Sequence, residues 1–257
     1  MCKKLVPMAT TILLALSSSA YANSFVNGGF EDGNLNGWLG GGGIWTGSPA
    51  PPVNPASYNA GTPNNTVMTV GLDPITGAAQ VYSGNNSVRV NDSVNDYSVS
   101  TLRQSVSNYT DNNIFFAWNA VLEASHGLTD SDYFSLTLRD DTDGVDLVSR
   151  AYSSAGAIGS GTTGVTWTQF QSGSWFSSGW VVEQIDLLAL GAVGHDFTLT
   201  LLASDCPYGG HAGYVYLDGF GSVIPPGGAV PEPGSLALLG LGMAGLAVLG
   251  RRQKKAD

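Results

Sequence analysis

The sequence predicts an all-β protein in which one antiparallel jelly-roll β-sandwich spans residues 23–223. No stretch of residues 23–230 shows a sustained helical period, whereas many short runs alternate apolar with polar residues or are rich in aromatic and β-branched residues. Gly, Asn, Asp and Ser fill the intervals between these runs, as is typical of turns. Glycine accounts for 35 of the 257 residues, about twice its usual share of ~7%. Short strands joined by many turns favour a sandwich or jelly roll.

The first 22 residues have the pattern of a secretory signal peptide. A start with two lysines precedes an apolar stretch over residues 5–16. Ala20 and Ala22 then form the A-x-A pattern that signal peptidase cleaves, so the mature chain is predicted to begin at Asn23. A buried N-terminal helix is the alternative interpretation.

The mature chain begins and ends its domain with two recognisable stretches. Residues 25–33 have the sequence FVNGGFEDG, with Gly37-Trp38 following, and residues 213–220 have the sequence GYVYLDGF. The first stretch resembles the opening strand of carbohydrate-binding modules with a galactose-binding-like jelly roll. The second resembles the closing strand of the same modules, which ends in an aspartate. The resemblance implies this fold for the whole domain.

The same resemblance implies a structural Ca²⁺ ion that ties the first strand to the last. By position, Glu31 and Asp218 match the carboxylate ligands of that ion. Calcium is bound by carboxylate and carbonyl oxygens, so two carboxylates distant in sequence could close the sandwich. The alternative is that Glu31 faces solvent and that Asp218 ends a strand at a turn.

Residues 40–79 interrupt the strand pattern. Four consecutive glycines at 40–43 are followed by prolines at 49, 51, 52, 55 and 63. We predict a long surface insertion here, containing one short hairpin at most.

Eight later runs are predicted strands, at residues 87–91, 98–106, 113–123, 132–139, 144–152, 180–190, 196–203 and 213–220. Between the fourth and fifth of them, residues 140–146 have the sequence DDTDGVD, which begins like a calcium loop. An EF-hand needs a glutamate at the twelfth position, which is Tyr152 here, so that pattern fails. Asp-Gly between two strands predicts a hairpin turn instead.

Charge and motif content limit the function. Residues 23–230 contain four basic residues, all arginines, against eighteen acidic ones, which excludes binding to a nucleic acid backbone. The three histidines are scattered, and neither H-E-x-x-H nor G-x-S-x-G occurs. We therefore predict that the protein is not an enzyme.

Tryptophan offers the best candidates for contact with carbohydrate, because sugar rings stack on exposed indoles. Most of the six are expected in the core, as is common for aromatics in sandwiches. Trp45 and Trp175 are predicted to bind ligand. Cys206 lies in the string DCPYGGH and is the only cysteine of the mature chain, so it cannot form an intramolecular disulfide. It serves either intermolecular attachment or the packing of a tight loop.

The last 34 residues contain three parts in a fixed order after a Pro/Gly linker at 224–229. Pro231-Glu232-Pro233 comes first, an apolar run at 235–250 comes next, and a cluster beginning with Arg251 and Arg252 ends the chain. The apolar run of 16 residues is close to the ~17–25 of a transmembrane helix. Its basic end is predicted to stay cytoplasmic. A plain membrane anchor would have the same features.

Residues 230–257 resemble the PEP-CTERM sorting signal of bacterial surface proteins. The resemblance implies recognition by an exosortase, passage through the inner membrane as a precursor, and a final place at the cell surface or in the extracellular matrix of a Gram-negative bacterium. Our leading hypothesis is a non-catalytic protein that binds or organises exopolysaccharide. The alternatives are a purely structural matrix protein without a glycan site and a hydrolase that acts on the polysaccharide.

Overall fold

The computed structural model describes residues 24–45, 53–127, 131–157 and 165–223. Within these residues two antiparallel sheets form a sandwich, which confirms the predicted all-β fold. The predicted signal peptide with Ala20 and Ala22, the linker, and the predicted transmembrane helix at 235–250 lie outside the described residues. Among the described residues, no helix combines the length and the apolar character needed to cross a membrane.

The described strands are, in chain order, β1 (Leu39–Ile44), β2 (Thr66–Thr69), β3 (Asn86–Val90), β4 (Ser98–Val106), β5 (Asn113–Glu123), β6 (Tyr133–Asp140), β7 (Val145–Ser153), β8 (Thr168–Phe170), β9 (Trp175–Ser177), β10 (Val181–Asp186), β11 (Phe197–Ser204) and β12 (Gly213–Gly221). Two short helices follow strands, α1 (Ser154–Ala157) and α2 (Leu187–Leu190). Single 3-10 turns lie at Pro55–Tyr58 and Gln171–Gly173.

One sheet has five strands in the order β1-β4-β11-β6-β7. The other has seven, in the order β2-β3-β12-β5-β9-β8, with β10 pairing beside β9 on the same side of β5. Strands distant in sequence are therefore neighbours, and the ends of β5, β11 and β12 come together at one end of the molecule.

The core lies between the sheets and follows the alternation of each strand. Phe116, Trp118 and Leu122 of β5 point inward together with Val215 and Leu217 of β12, and all five are fully buried. The opposite side chains of these strands form a second apolar cluster on the outer face of the seven-stranded sheet, and it contains Val121, Trp175, Ala212, Tyr214 and Tyr216. A third cluster on the outer face of the five-stranded sheet contains Trp45, Val53, Val99, Tyr133 and Leu202.

The predicted surface insertion at 40–79 is wrong in one respect, because the segment contributes β1 and β2 to the two sheets. A Cβ on Gly41 would lie 2.1 Å from the carbonyl oxygen of Tyr58, and one on Gly42 would lie 2.7 Å from that of Thr62. The backbone near residues 58–62 thus packs directly on the glycine strand. The run of glycines marks a close contact between backbones rather than a flexible loop.

The predicted opening strand is also absent from the described residues, since residues 25–38 form a series of turns. Asn27 and Phe30 have φ values of 49° and 59°, which a strand does not allow. The segment is nevertheless fixed to the sandwich. Gln104 of β4 accepts a hydrogen bond from the backbone N–H of Val26 and donates one to its carbonyl oxygen.

Agreement is closest where strands are long. The runs predicted at 98–106 and 113–123 coincide with β4 and β5, and residues 141–144 form the predicted hairpin turn. The run predicted at 180–190 ends as a strand at Asp186, because the Asp186 carboxylate accepts a hydrogen bond from the backbone N–H of Ala189 and starts α2.

Candidate functional site

Glu31 and Asp218, predicted as calcium ligands, flank one loop, residues 82–86, which leads into β3. Glu31 Oε1 accepts hydrogen bonds from the backbone N–H groups of Asn85 and Asn86, both at 2.9 Å. Asp218 Oδ2 accepts hydrogen bonds from the backbone N–H groups of Tyr82 at 2.9 Å and Ser83 at 2.8 Å. Four backbone donors of the 82–86 loop therefore end on two carboxylates from opposite ends of the domain.

A glycine contact brings the two carboxylates together. The backbone N–H of Phe220 donates a hydrogen bond to the carbonyl oxygen of Gly28, and a Cβ on Gly28 would lie only 1.7 Å from the carbonyl oxygen of Phe220. At the next residue, a Cβ on Gly29 would lie 3.7 Å from Glu31 Cγ and 3.8 Å from Asp218 Oδ1. The two glycines of the sequence NGGFE (residues 27–31) thus allow Glu31 to lie against β12, the last strand.

The two carboxylates have opposite electrostatic environments. Burial raises the pKa of Asp218 to about 7, and the nearby charge of Glu31 adds to the increase, although hydrogen bonds from Ser83 and Tyr82 oppose it. For Glu31, slight burial would raise the pKa, but hydrogen bonds from Asn86 and Asn85 outweigh it and lower the pKa. Asp218 Oδ1 is buried and has no hydrogen-bond partner among the described residues.

Glu31 and Asp218 would supply two of the oxygen ligands that a calcium ion needs. Calcium takes about six to eight oxygen ligands, from carboxylates, backbone carbonyls and water. The buried Asp218 Oδ1 is an acceptor without a hydrogen-bond donor, which a cation or a proton would satisfy, and Glu31 supplies a second carboxylate beside it. With a resident ion, these two residues would supply carboxylate oxygens, and the positive charge would offset the burial of Asp218.

An aromatic pair lies beside the 82–86 loop, with Tyr82 on the loop and Trp180 directly before β10. The rings of Tyr82 and Trp180 are both half-buried, and their centroids are 5.4 Å apart at an angle of 53°. Trp180 Nε1 donates a 2.9 Å hydrogen bond to the carbonyl oxygen of Ala79, just ahead of the loop. Trp180 also packs on Tyr216 of β12, with the ring centroids 6.2 Å apart. The pair is thus half-buried, and Ala79 and Tyr216 support Trp180.

A buried aspartate supports the aromatic surface from below. Asp73 Oδ2 accepts hydrogen bonds of 2.7 Å from the hydroxyls of both Tyr214 and Tyr216. Burial, followed by the charge of Asp73, raises the pKa of each tyrosine above its usual value. Arg89 lies 5.8 Å from the centre of the Tyr214 ring. These contacts fix the segment around Asp73, which includes the bridge between Leu72 and Ala79, against the outer face of the seven-stranded sheet.

Trp45 and Trp175 are placed where neither ring is open to solvent. Trp45 is 3% exposed in the cluster with Tyr133, and Trp175 is 6% exposed in the cluster with Tyr214. Their positions give no support to a stacking role. Trp180 is more accessible than Trp175, since it is half-buried. Sequence alternation alone could not distinguish the two, because both flank the same short loop.

The sorting residues Pro231, Glu232, Pro233, Arg251 and Arg252 lie outside the described part of the chain, so their interpretation depends on sequence comparison. A family model described as the PEP-CTERM protein-sorting motif matches residues 229–253. The chain carries a PEP-CTERM sorting motif. This motif indicates an exported bacterial surface protein that is membrane-anchored before it is processed.

Solved structures with a similar arrangement include carbohydrate-binding modules. TmCBM61, solved with β-1,4-galactotriose, has a TM-score of 0.39 and 11% identity, with 77% of this chain and 96% of that chain covered. Caldicellulosiruptor saccharolyticus CBM27-1, solved with mannohexaose, has a TM-score of 0.37 and 10% identity, with coverages of 78% and 96%. CBM28, specific for non-crystalline cellulose, has a TM-score of 0.37 and 12% identity, with coverages of 76% and 92%. No curated protein gives a significant match to this chain.

Proposed function

We propose that this protein is a non-catalytic surface protein whose β-sandwich binds exopolysaccharide. Signal peptidase would remove residues 1–22, and an exosortase would recognise Pro231-Glu232-Pro233 while the apolar run at 235–250 lies in the inner membrane. Processing would then leave the domain at the surface or in the extracellular matrix of a Gram-negative bacterium. The sorting motif at residues 229–253 supports this part of the proposal.

The observation that favours glycan binding is the Tyr82–Trp180 pair. Sugar rings stack their C–H faces on aromatic rings, and these two rings lie 5.4 Å apart on a supported surface. The 82–86 loop that carries Tyr82 is fixed by the Glu31 and Asp218 carboxylates. A surface ordered in advance loses little conformational entropy when it binds ligand.

The proposed role of calcium is that of a structural ion. Bound by Glu31 and Asp218, it would neutralise the carboxylates that hold the 82–86 loop, and Tyr82 would keep its position beside Trp180. Binding of glycan is then expected to weaken when calcium is removed, although no sugar atom contacts the ion.

A glycan array with residues 23–223 tests the proposal, with and without calcium. We expect Trp180→Ala to lose at least tenfold in binding. Trp167→Ala is the matched control, because Trp167 is also a half-buried tryptophan but packs on Tyr152, away from the loop. Equal binding by Trp180→Ala and wild type would place the glycan elsewhere. A blank array from folded protein would favour the purely structural matrix protein.

The sorting part has a separate test. Deletion of residues 230–257 is expected to abolish processing and to release the domain from the cell envelope. If processing and surface retention were unchanged, the PEP-CTERM motif of this chain would not act in sorting.

A further inference from the structure

Three side chains that commonly bind transition metals meet at one end of the sandwich. One ring nitrogen each of His126 and His211 and the Sγ atom of Cys206 all lie within 4.8 Å of one another. The two imidazole rings are perpendicular, with centroids 4.5 Å apart. His126 follows β5, Cys206 follows β11 and His211 precedes β12. Two of the three histidines that look scattered in the sequence, His126 and His211, are therefore brought together by the order of the strands.

The loop at 206–211 is shaped to place its cysteine beside its histidine. The backbone N–H of Cys206 donates a 2.9 Å hydrogen bond to the carbonyl oxygen of His211, which closes the loop. Gly209 and Gly210 have φ values of 90° and 99°, which side-chain-bearing residues rarely adopt. A Cβ on Gly209 would lie 2.5 Å from the hydroxyl of Tyr97. The two glycines are thus required by the loop that presents Cys206 and His211 together.

The segment with His126 is fixed by separate contacts. The backbone N–H of Ala124 donates a 2.8 Å hydrogen bond to the carbonyl oxygen of Ser174. The Ser125 hydroxyl lies 2.6 Å from that of Ser131 and 2.8 Å from that of Ser154. Glu123 Oε2 accepts a 2.9 Å hydrogen bond from the backbone N–H of Ala212, next to His211. These contacts hold the backbone next to His126 and His211 and so reduce the rearrangement needed for binding.

Neither intermolecular attachment nor the packing of a tight loop accounts for the surroundings of Cys206. Cys206 is completely buried and forms no disulfide within the described residues, which does not suit attachment to another molecule. Packing of a tight loop would explain a small buried side chain, but it would not require two imidazoles beside the sulfur. His126 is exposed, so an ion could enter from solvent on its side.

We propose that His126, Cys206 and His211 bind a borderline-soft transition-metal ion, with Zn²⁺ as the representative. Thiolate and imidazole donors select this class over Ca²⁺ and Mg²⁺, which prefer oxygen. In a tetrahedral zinc site the donor atoms would lie roughly 3.4–3.6 Å apart, so each pair of donor atoms would have to approach by about 1.4 Å at most. Three protein ligands leave a fourth position for water or for a group from a partner.

The test is a Co²⁺ titration of the metal-free chain from Asn23 onward, purified in detergent without a histidine tag. We expect one Co²⁺ per chain, with thiolate-to-cobalt charge-transfer absorption that Zn²⁺ removes and excess Ca²⁺ leaves unchanged. Zn²⁺ should also raise the melting temperature, because the site is assembled only in the folded chain. Removal of the absorption by Ca²⁺ would overturn the proposal.

Substitutions identify the ligands. Cys206→Ser is expected to abolish the charge-transfer band, and His126→Ala to weaken binding at least tenfold. His126 is exposed, so its variant folds even if the cysteine variant does not. His195→Ala is the matched control, because His195 belongs with Asp140 and Asp143 to a separate group of possible ligands that has no thiolate, so this variant should keep the charge-transfer band. Undiminished binding by His126→Ala, or no band and no thermal shift with wild type, would refute the site.

Discussion

Glu31 and Asp218 accept hydrogen bonds from the same loop although they come from opposite ends of the domain. Glu31 binds the backbone of Asn85 and Asn86, and Asp218 binds that of Tyr82 and Ser83. The two carboxylates thereby fasten the turns of residues 25–38 to β12 in place of a strand pair. A negative charge on buried Asp218 is the cost of this arrangement, and a cation would offset it.

Calcium should stabilise the domain more at about pH 8 than at about pH 5. Asp218 has a folded pKa of about 7, above its unfolded value near 3.9, so its contribution to stability is present below about pH 3.9 and is lost as the pH rises through 7. Calcium at about 100 times its Kd would restore about 2.7 kcal/mol, or roughly 5–10 °C in Tm. At the lower pH the ion must displace a proton, so the shift is smaller. Differential scanning calorimetry at both pH values measures it.

Asp218→Asn is the control for calcium. The variant has no titrating group at this position, so it should melt at a Tm that depends less on pH and should respond little to calcium. An equal calcium shift in wild type and Asp218→Asn would show that the ion binds elsewhere.

Gly28→Ala should destabilise the domain by at least about 2–3 kcal/mol. The new Cβ would meet the carbonyl oxygen of Phe220 at 1.7 Å, so a backbone segment must move. Gly221→Ala is the matched control, because Gly221 follows Phe220 in β12 and its new Cβ would meet no atom within 4 Å. Urea unfolding of the two variants compares them. Similar midpoints would mean that residues 25–38 contribute little to the fold.

Long strands and the hairpin turn follow from alternation and turn chemistry, and so they could be predicted, as for β4 and β5. Glycine is ambiguous, because it marks both turns and close backbone contacts. The Gly40–Gly43 strand was therefore predicted as a loop, since only the position of residues 58–62 reveals the contact. That Glu31 and Asp218 lie close together is predicted only by the resemblance to carbohydrate-binding modules at both ends of the domain. The exposure of Trp180 and the meeting of His126 with Cys206 depend on strand order, which alternation does not encode.

Arg150→Ala should cost about 2–3 kcal/mol because it leaves a buried carboxylate without its cation. Arg150 Nε and Nη2 each donate a 2.8 Å hydrogen bond to Glu183, which is 7% exposed and also accepts one from Trp118 Nε1. The Arg150 side chain is 34% exposed, so solvent compensates part of the loss. Arg139→Ala is the control, since its contacts with Asp141 and Asp146 are exposed and should contribute below about 1 kcal/mol. Equal losses in chemical unfolding would mean that Glu183 is solvated after Arg150 is removed.

The pair formed by His195 and Asp140 should stabilise the fold most between about pH 4 and pH 6.5. His195 Nδ1 lies 2.8 Å from Asp140 Oδ2, and this hydrogen bond raises the pKa of His195. Burial would raise the pKa of Asp140, but the hydrogen bonds with His195 and with the backbone N–H groups of Asp143 and Thr142 lower it. The aspartate's contribution is lost as the pH falls below about 4, and that of the histidine is lost as the pH rises through its elevated pKa.

His195→Gln tests this window because it keeps a polar side chain but cannot take a positive charge. The Tm difference from wild type should be largest near pH 5 and should shrink as the pH rises through the elevated pKa of His195, above which the wild-type side chain is neutral as well. Asp143→Asn provides the control, because Asp143 is exposed and lies 4.0 Å from His195, so its effect should be small at every pH. A His195→Gln difference that stayed constant from pH 5 to pH 8 would assign the stabilisation to the neutral hydrogen bond. Because Asp140 ends β6 and His195 lies two residues before β11, the same measurement reports how firmly the β6–β7 hairpin is attached to β11.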